Sequence, residues 1–241
     1  MKFRVLLTAA VAALTTFAGS ASANSDSVKA AVEAWLNGRF KVQEVRKSPV
    51  PGIYEVRIGN DLLYAHEDGQ YVFVEGQLID MKSGVSLTRA RLDEILRIDF
   101  KTLPLELAIK EVKGDGKRVF AIFEDPNCPY CRKLRTEMEQ LSNVTIYTYA
   151  IPILSPDSER KVRAAWCAED RVEAWNELLI HGTVPANDGK CDVPVPALLE
   201  LSRKLGVTGT PTIFLTTGQR VPGAVPLQRL EQLLDAAARA S

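Results

Sequence analysis

The chain has 241 residues, 46% of them hydrophobic, and its 30 Lys and Arg are balanced by 30 Asp and Glu. That neutrality, with no basic run interleaved with aromatics, excludes the electrostatic footprint of a nucleic-acid binder. The length accommodates one large domain or two modest ones, and no internal repeat or low-complexity segment is present. Residues 1–23 have the parts of a secretory signal peptide: Lys2 and Arg4, an apolar run over 5–17, and Ala21-Ser22-Ala23 as a small-residue cleavage site. Cleavage after Ala23 would start the mature chain at Asn24 and leave 28 basic residues against 30 acidic ones. The apolar run is short for a membrane span, and no later stretch approaches ~18 uninterrupted apolar residues. An exported, soluble protein is expected; retention of the segment as an anchor is the alternative. No cysteine follows the cleavage site, so a lipid anchor has no attachment point there.

Residues 28–40 carry Val28, Ala31, Val32, Trp35 and Leu36 at the spacing of one helical face. After Pro49-Val50-Pro51-Gly52, alternating runs at 54–58, 62–66 and 71–74 read as hairpin strands, separated by Gly59-Asn60-Asp61 and Asp68-Gly69 turns. A domain over 24–85 is small enough to bury little surface alone. Strand edges are templates for chain-to-chain pairing, so a homodimer through this domain is expected. A small lid on the second domain is the alternative. Residues 86–104 read as a charged linker helix ended by Pro104, with no chemistry beyond spacing the domains. From Leu105 to Ser241 the elements alternate: strand 117–123, helix 131–141, strand 144–149, a helical segment over 158–181, helix 195–205, strand 212–215, a hairpin through Gly218-Gln219 to Arg220-Val221, and helix 226–240. Such alternation implies an α/β sheet covered by helices.

The chemistry concentrates at Cys128-Pro129-Tyr130-Cys131, set between a strand, an Asp125-Pro126-Asn127 turn and a helix, as a thioredoxin-like motif requires. Pro129 suits the first helical position and Cys128 the N-cap, where unpaired N–H groups favour the thiolate. Cys128 is therefore the expected attacking sulfur, with Cys131 one turn inward as the thiol that resolves a mixed disulfide. A four-sulfur zinc site with Cys167 and Cys191 is the competing reading, but a zinc ribbon would carry a second closely spaced pair. Four cysteines allow three pairings; the short spacing of Cys128 and Cys131 selects that pair and leaves Cys167 with Cys191. Their link is read as structural, a second redox pair being the alternative.

Downstream, Gly209-Thr210-Pro211-Thr212 immediately precedes an apolar strand. A cis Thr210–Pro211 bond would let the Thr210 backbone hydrogen-bond an extended substrate beside Cys128. His66 and His181 lie near no motif and are read as ordinary surface or partly buried residues. Trp35, Trp166 and Trp175 are read as core, Met138 as the inner face of the active-site helix, and Tyr130 as a substrate contact or a loop-shaping residue.

Taken together, the CPYC and GTPT motifs, the leader, the strand domain, the linker helix and the second cysteine pair resemble the periplasmic disulfide isomerase family DsbC/DsbG over essentially the whole mature chain. The resemblance implies an α+β N-terminal dimerisation domain of cystatin-like strands plus helix, a helical linker, and an α/β thioredoxin-like catalytic domain with a helical insertion. It implies a V-shaped homodimer with Cys128 as nucleophile, Cys131 as resolving thiol, and Pro129, Tyr130, Thr210 and Pro211 contacting substrate. Misfolded exported proteins with wrong disulfides are the implied substrates, with chaperone-like binding, and the inner-membrane reductase DsbD is the implied electron donor. Neither metal nor organic cofactor is called for, since both sulfurs belong to the protein. Pro129-Tyr130 is the DsbG-like dipeptide, whereas Cys167 and Cys191 are DsbC-like, and the DsbC-like reading is favoured. The competing readings are a DsbG-like reductase of sulfenylated cysteines, a dithiol oxidase and a non-enzymatic holdase. Thioredoxin has a buried acid six residues before its first cysteine; here that position is Ile122, so no general base is assigned, and Glu124 and Asp125 are read as part of a turn.

Overall fold

A computed structural model describes residues 20–240, and side chains from residue 24 onward. Most of the predicted leader lies outside the described residues. The chain divides into two compact units, Met1–Thr88 and Arg89–Ser241.

In the first unit, α1 (Ser20–Trp35) packs on a four-stranded antiparallel meander of β1 (Glu44–Lys47), β2 (Ile53–Ile58), β3 (Asp61–His66) and β4 (Val72–Phe73). Val28 and Val32 of α1 meet Val42, Tyr54, Val56, Leu63 and Ala65 to form its core. The helix stops before Phe40, short of the sequence expectation, because Asn37 and Gly38 both take left-handed backbone and the Gly38 N–H turns back to the Glu33 carbonyl at 3.1 Å. Trp35, read as core, is 53% exposed at that end. Strand β1 went unpredicted because Glu44-Val45-Arg46-Lys47 offers one apolar residue, yet all four residues pair with β2. A two-stranded hairpin of β5 (Ile79–Asp80) and β6 (Val85–Ser86) follows.

The charged helix is shorter than predicted: α2 is Leu87–Ile95, and two 3₁₀ turns, Phe100–Thr102 and Leu105–Leu107, replace its expected end. Asp99 caps the first of these by accepting the Lys101 N–H at 3.0 Å. Residues beyond α2 do more than space the domains. Leu103 is buried, and Ile98, Phe100 and Leu107 pack on the core under one face of the second unit's sheet. The Ile98 N–H donates to the Gly218 carbonyl at 3.1 Å. Gly218 has positive φ, and a Cβ there would stand 1.9 Å from the Ile98 oxygen, so only glycine lets the two strands of backbone approach.

The second unit is built on a five-stranded sheet in the order β11-β10-β8-β9-β7. Its strands are β7 (Ile109–Lys113), β8 (Arg118–Glu124), β9 (Val144–Ala150), β10 (Thr212–Leu215) and β11 (Arg220–Pro222); only β8 and β9 run parallel. One face, with Phe120, Ile122, Ile146 and Ile213, is covered by α3 (Pro129–Met138) and α7 (Leu227–Ala240). On the other, Phe123 stacks on Tyr149 and meets Phe214 edge-on beneath α6 (Val195–Lys204). The predicted helical segment over 158–181 is three pieces: α4 (Pro156–Trp166), α5 (Arg171–Asn176) and a π-helical turn, Glu177–His181. The break comes where Asp170 starts a new helix by accepting the Glu173 N–H at 2.9 Å.

Candidate active site

Strand β8 runs into the Asp125-Pro126-Asn127 turn, and Pro129 opens α3 with Cys128 as its N-cap. The turn is pinned by Asp125, a buried carboxylate whose four acceptor contacts are all met. It takes the Asn127 N–H at 2.8 Å, the Ser158 hydroxyl at 2.8 Å, and the Ile153 and Leu154 N–H groups at 2.7 and 2.9 Å. Lys161 Nζ then holds the Asn127 amide oxygen at 2.6 Å. The loop bearing Cys128 is thus fastened to the start of α4, not left as a mobile surface turn.

Cys128 Sγ receives the Cys131 backbone N–H at 3.3 Å, the helix-terminal contact expected of an N-cap sulfur. The Thr210–Pro211 bond is cis, and the Thr210 carbonyl oxygen lies 3.2 Å from Cys128 Sγ, accepting its S–H. The Pro211 carbonyl is engaged by the Gly223 N–H at 2.8 Å, which ties this loop to the end of β11. Cys128, Cys131, Pro129, Thr210 and Pro211 therefore converge, and Tyr130, 66% exposed, projects beside them. Cys128 is itself only 2% exposed and Cys131 fully buried, both as free thiols.

Asp125 serves the turn as read, but Glu124 is not simply a turn residue. Glu124 is the last residue of β8, fully buried, and its Oε2 is shared by the guanidinium of Arg135 and the indole N–H of Trp175, the latter at 2.9 Å. Arg135 also donates to Thr148 Oγ1 at 2.9 Å and to Glu111 Oε2 at 3.3 Å. Glu124 Oε1 has no partner. Beside this group, burial first and the negative charge of Glu124 second push the Cys131 thiol well above the ordinary thiol range. The sequence carried a signal for it: Arg135 shares the buried helical spacing of Cys131, Leu134 and Met138, and a buried cation demands a buried anion opposite.

Cys167 and Cys191 form a disulfide across a separation of 24 residues. Cys167 caps the end of α4 and packs against the apolar cluster that contains Cys128, Cys131, Trp166 and Trp175. The bond fastens residues 182–194 to α4, an attachment shared by Asn187, whose side-chain amide donates to the Ala164 carbonyl at 2.8 Å. His66 stands beside Asp68 at 2.9 Å and His181 beside Glu177 at 3.8 Å, each with its side chain partly exposed. Among the described residues no group of three or more His, Cys, Asp or Glu side chains could hold a metal ion, and no helix is long and apolar enough to cross a membrane.

Two family models match the chain: "Disulfide bond isomerase protein N-terminal domain" over residues 19–89 and "Thioredoxin-like domain" over 105–238. A Bordetella pertussis protein named "Probable thiol:disulfide interchange protein DsbC" is 46% identical over 210 residues, covering 87% of this chain and 74% of the relative. The chain belongs to the DsbC family of thiol:disulfide interchange proteins. DsbC of Escherichia coli K12 is 28% identical over 227 residues, covering 92% of each chain. A crystal structure of a disulfide interchange protein from Neisseria gonorrhoeae is 38% identical, spans 56% of this chain and 99% of its own, and superposes with a TM-score of 0.54. The CPYC helix, the cis-proline loop and the thioredoxin-like sheet are thus set in a DsbC-family enzyme of thiol–disulfide exchange, with an N-terminal DsbC domain ahead of them.

Proposed function

We propose that this chain rearranges incorrect disulfides in exported proteins, acting in the periplasm after removal of residues 1–23. The observation that carries the reading is Cys128 Sγ at the N-cap of α3, held between the Cys131 N–H and the Thr210 carbonyl that precedes the cis proline. Cys128 thiolate attacks one sulfur of a substrate disulfide, forming a mixed disulfide and releasing the other substrate sulfur as a thiolate. That thiolate attacks a different disulfide in the same substrate; the last exchange returns Cys128, so isomerisation leaves the electron count of the enzyme unchanged. When rearrangement stalls, Cys131 loses its proton and attacks Cys128 Sγ, freeing a reduced substrate and leaving the enzyme oxidised by two electrons. An external dithiol must then restore it, the role the resemblance gives to DsbD.

Pro129, Tyr130, Thr210 and Pro211 are the substrate contacts of this reading, and Cys167–Cys191 is its structural disulfide. Residues 24–85 form the dimerisation domain, 86–104 the linker and 105–241 the catalytic domain, the working enzyme being a homodimer with chaperone-like affinity for unfolded chains. The test is refolding of a scrambled multi-disulfide protein. Cys128→Ser should abolish catalysed rearrangement, while Cys131→Ser should accumulate mixed disulfides that are seen on non-reducing gels. A Cys128→Ser protein as effective as wild type would overturn the enzymatic reading.

A further inference from the structure

On the second unit, a cleft of about 230 Å³ lies between α2, β11 and α7, lined by Arg89, Asp93, Arg220 and Arg229. Arg220 and Arg229 bring two guanidinium groups to it from β11 and α7. Burial pushes the Asp93 carboxyl above the ordinary carboxylate range, and the charges of Arg89 and Arg97 beside it pull the other way. The acids of α7 turn elsewhere: Glu231 and Asp235 contact Arg118 at 3.8 and 3.0 Å. On α2, Glu94 is paired with Arg91 at 2.7 Å.

Arg220 is the unusual member. It sits on the edge strand β11, opposite Phe214, and is only 8% exposed. Its Nε is buried without a hydrogen-bond partner. Burial alone acts on its guanidinium, pushing it below the ordinary arginine range, with no carboxylate offsetting the loss of water. Buried charges are normally paired, because an ionised group taken out of water loses its hydration and must recover it from an opposite charge or from donors and acceptors around it. Guanidinium groups present planar forks of N–H donors that match the oxygens of phosphate and carboxylate groups. Arg220 and Arg229 set two such forks at one cleft, which suits a divalent oxyanion.

We propose that this cleft binds a phosphate-type oxyanion, free or carried as a monoester, with Arg220 as the inner ligand and Arg229 closing over it. The site is separate from the cysteines and stands whether or not the isomerase reading does. It is tested on the full reduced chain by calorimetric titration and thermal unfolding with inorganic phosphate, sodium chloride holding ionic strength constant. Saturable binding at one site per chain and a rising Tm are expected. Arg220→Leu should remove both, and Arg229→Gln, at an exposed position on α7, should weaken phosphate at least about tenfold, as expected for loss of one charge-assisted contact. Glycerol phosphate binding as tightly as phosphate assigns the site to an esterified group, and weaker binding assigns it to the free ion. No saturable effect beyond that of chloride overturns the proposal. So does undiminished phosphate affinity in Arg229→Gln together with Arg220→Leu, or in Arg229→Gln alone should Arg220→Leu fail to fold.

Discussion

Cys131 lies one turn inward from Cys128, which caps the same helix. Cys131 faces an apolar cluster and the carboxylate of Glu124, and both hold its thiol protonated. Because its folded pKa lies above that of an unfolded cysteine, near ~8.5, the stability it contributes is full below that pH and is lost as pH rises past it. Denaturant titration of the reduced protein should therefore show falling stability in the alkaline range, and Cys131→Ala should flatten that slope. Neutralising the second cause gives a sharper test. In a Cys128→Ser background, Glu124→Gln should raise the rate of Cys131 alkylation by iodoacetamide several-fold near pH ~9, since each unit of pKa is tenfold in thiolate. An unchanged rate would assign the shift to burial alone. Glu124 itself was hidden from the sequence by its place after Phe123 and before a turn. Only the sheet reveals that it belongs to β8 and points, as Ile122 does two residues earlier, toward the active-site helix.

At the scale of elements, apolar spacing worked where one face meets a core and failed where charge points inward. Strands β8, β9 and β10 read directly from their buried apolar runs. Strand β7 did not, because its alternation is inverted: Glu111 turns in to meet Arg135 while Val112 is exposed. The CPYC helix was legible because Pro129 and the N-cap cysteine announce its start, and the loop of Thr210-Pro211 was legible only in combination with it. The segment over 158–181 has continuous helical spacing, and its break rests on a single local cap at Asp170 and the disulfide just before it. That disulfide closes a loop between α4 and the residues leading to α6. Replacing both Cys167 and Cys191 with Ala should cost about 3 to 4 kcal/mol by the loop-entropy relation for a closure of this length. The measurement is a shift of the urea midpoint at constant slope. If it relays electrons instead, stability would change little and Cys128 would become slower to re-reduce.

For the whole molecule, the first unit poses a problem of surface. Its core draws on one face of α1 and one face of a four-stranded sheet, while Tyr71, Phe73, Val74, Ile79, Met81 and Val85 remain exposed, Met81 at 93%. These residues fall on or beside β4 and the β5–β6 hairpin, and β4 pairs with β3 on one side only. An apolar run along an open strand edge invites pairing with another chain. A second copy of the same unit is the partner that fits the family and the small size of this core. Light scattering of the full chain should give the mass of two chains, and Phe73→Lys with Met81→Lys should halve it. The monomer so produced should keep the alkylation rate of Cys128, because the sulfur and its cis-proline contact lie within the second unit. Its rearrangement of scrambled disulfides should fall, since a substrate held between two catalytic units meets a second sulfur at high effective concentration and a monomer offers only one. Full isomerase activity in a verified monomer would mean that one Cys128–Cys131 pair is sufficient, and that the exposed apolar run serves substrate capture instead.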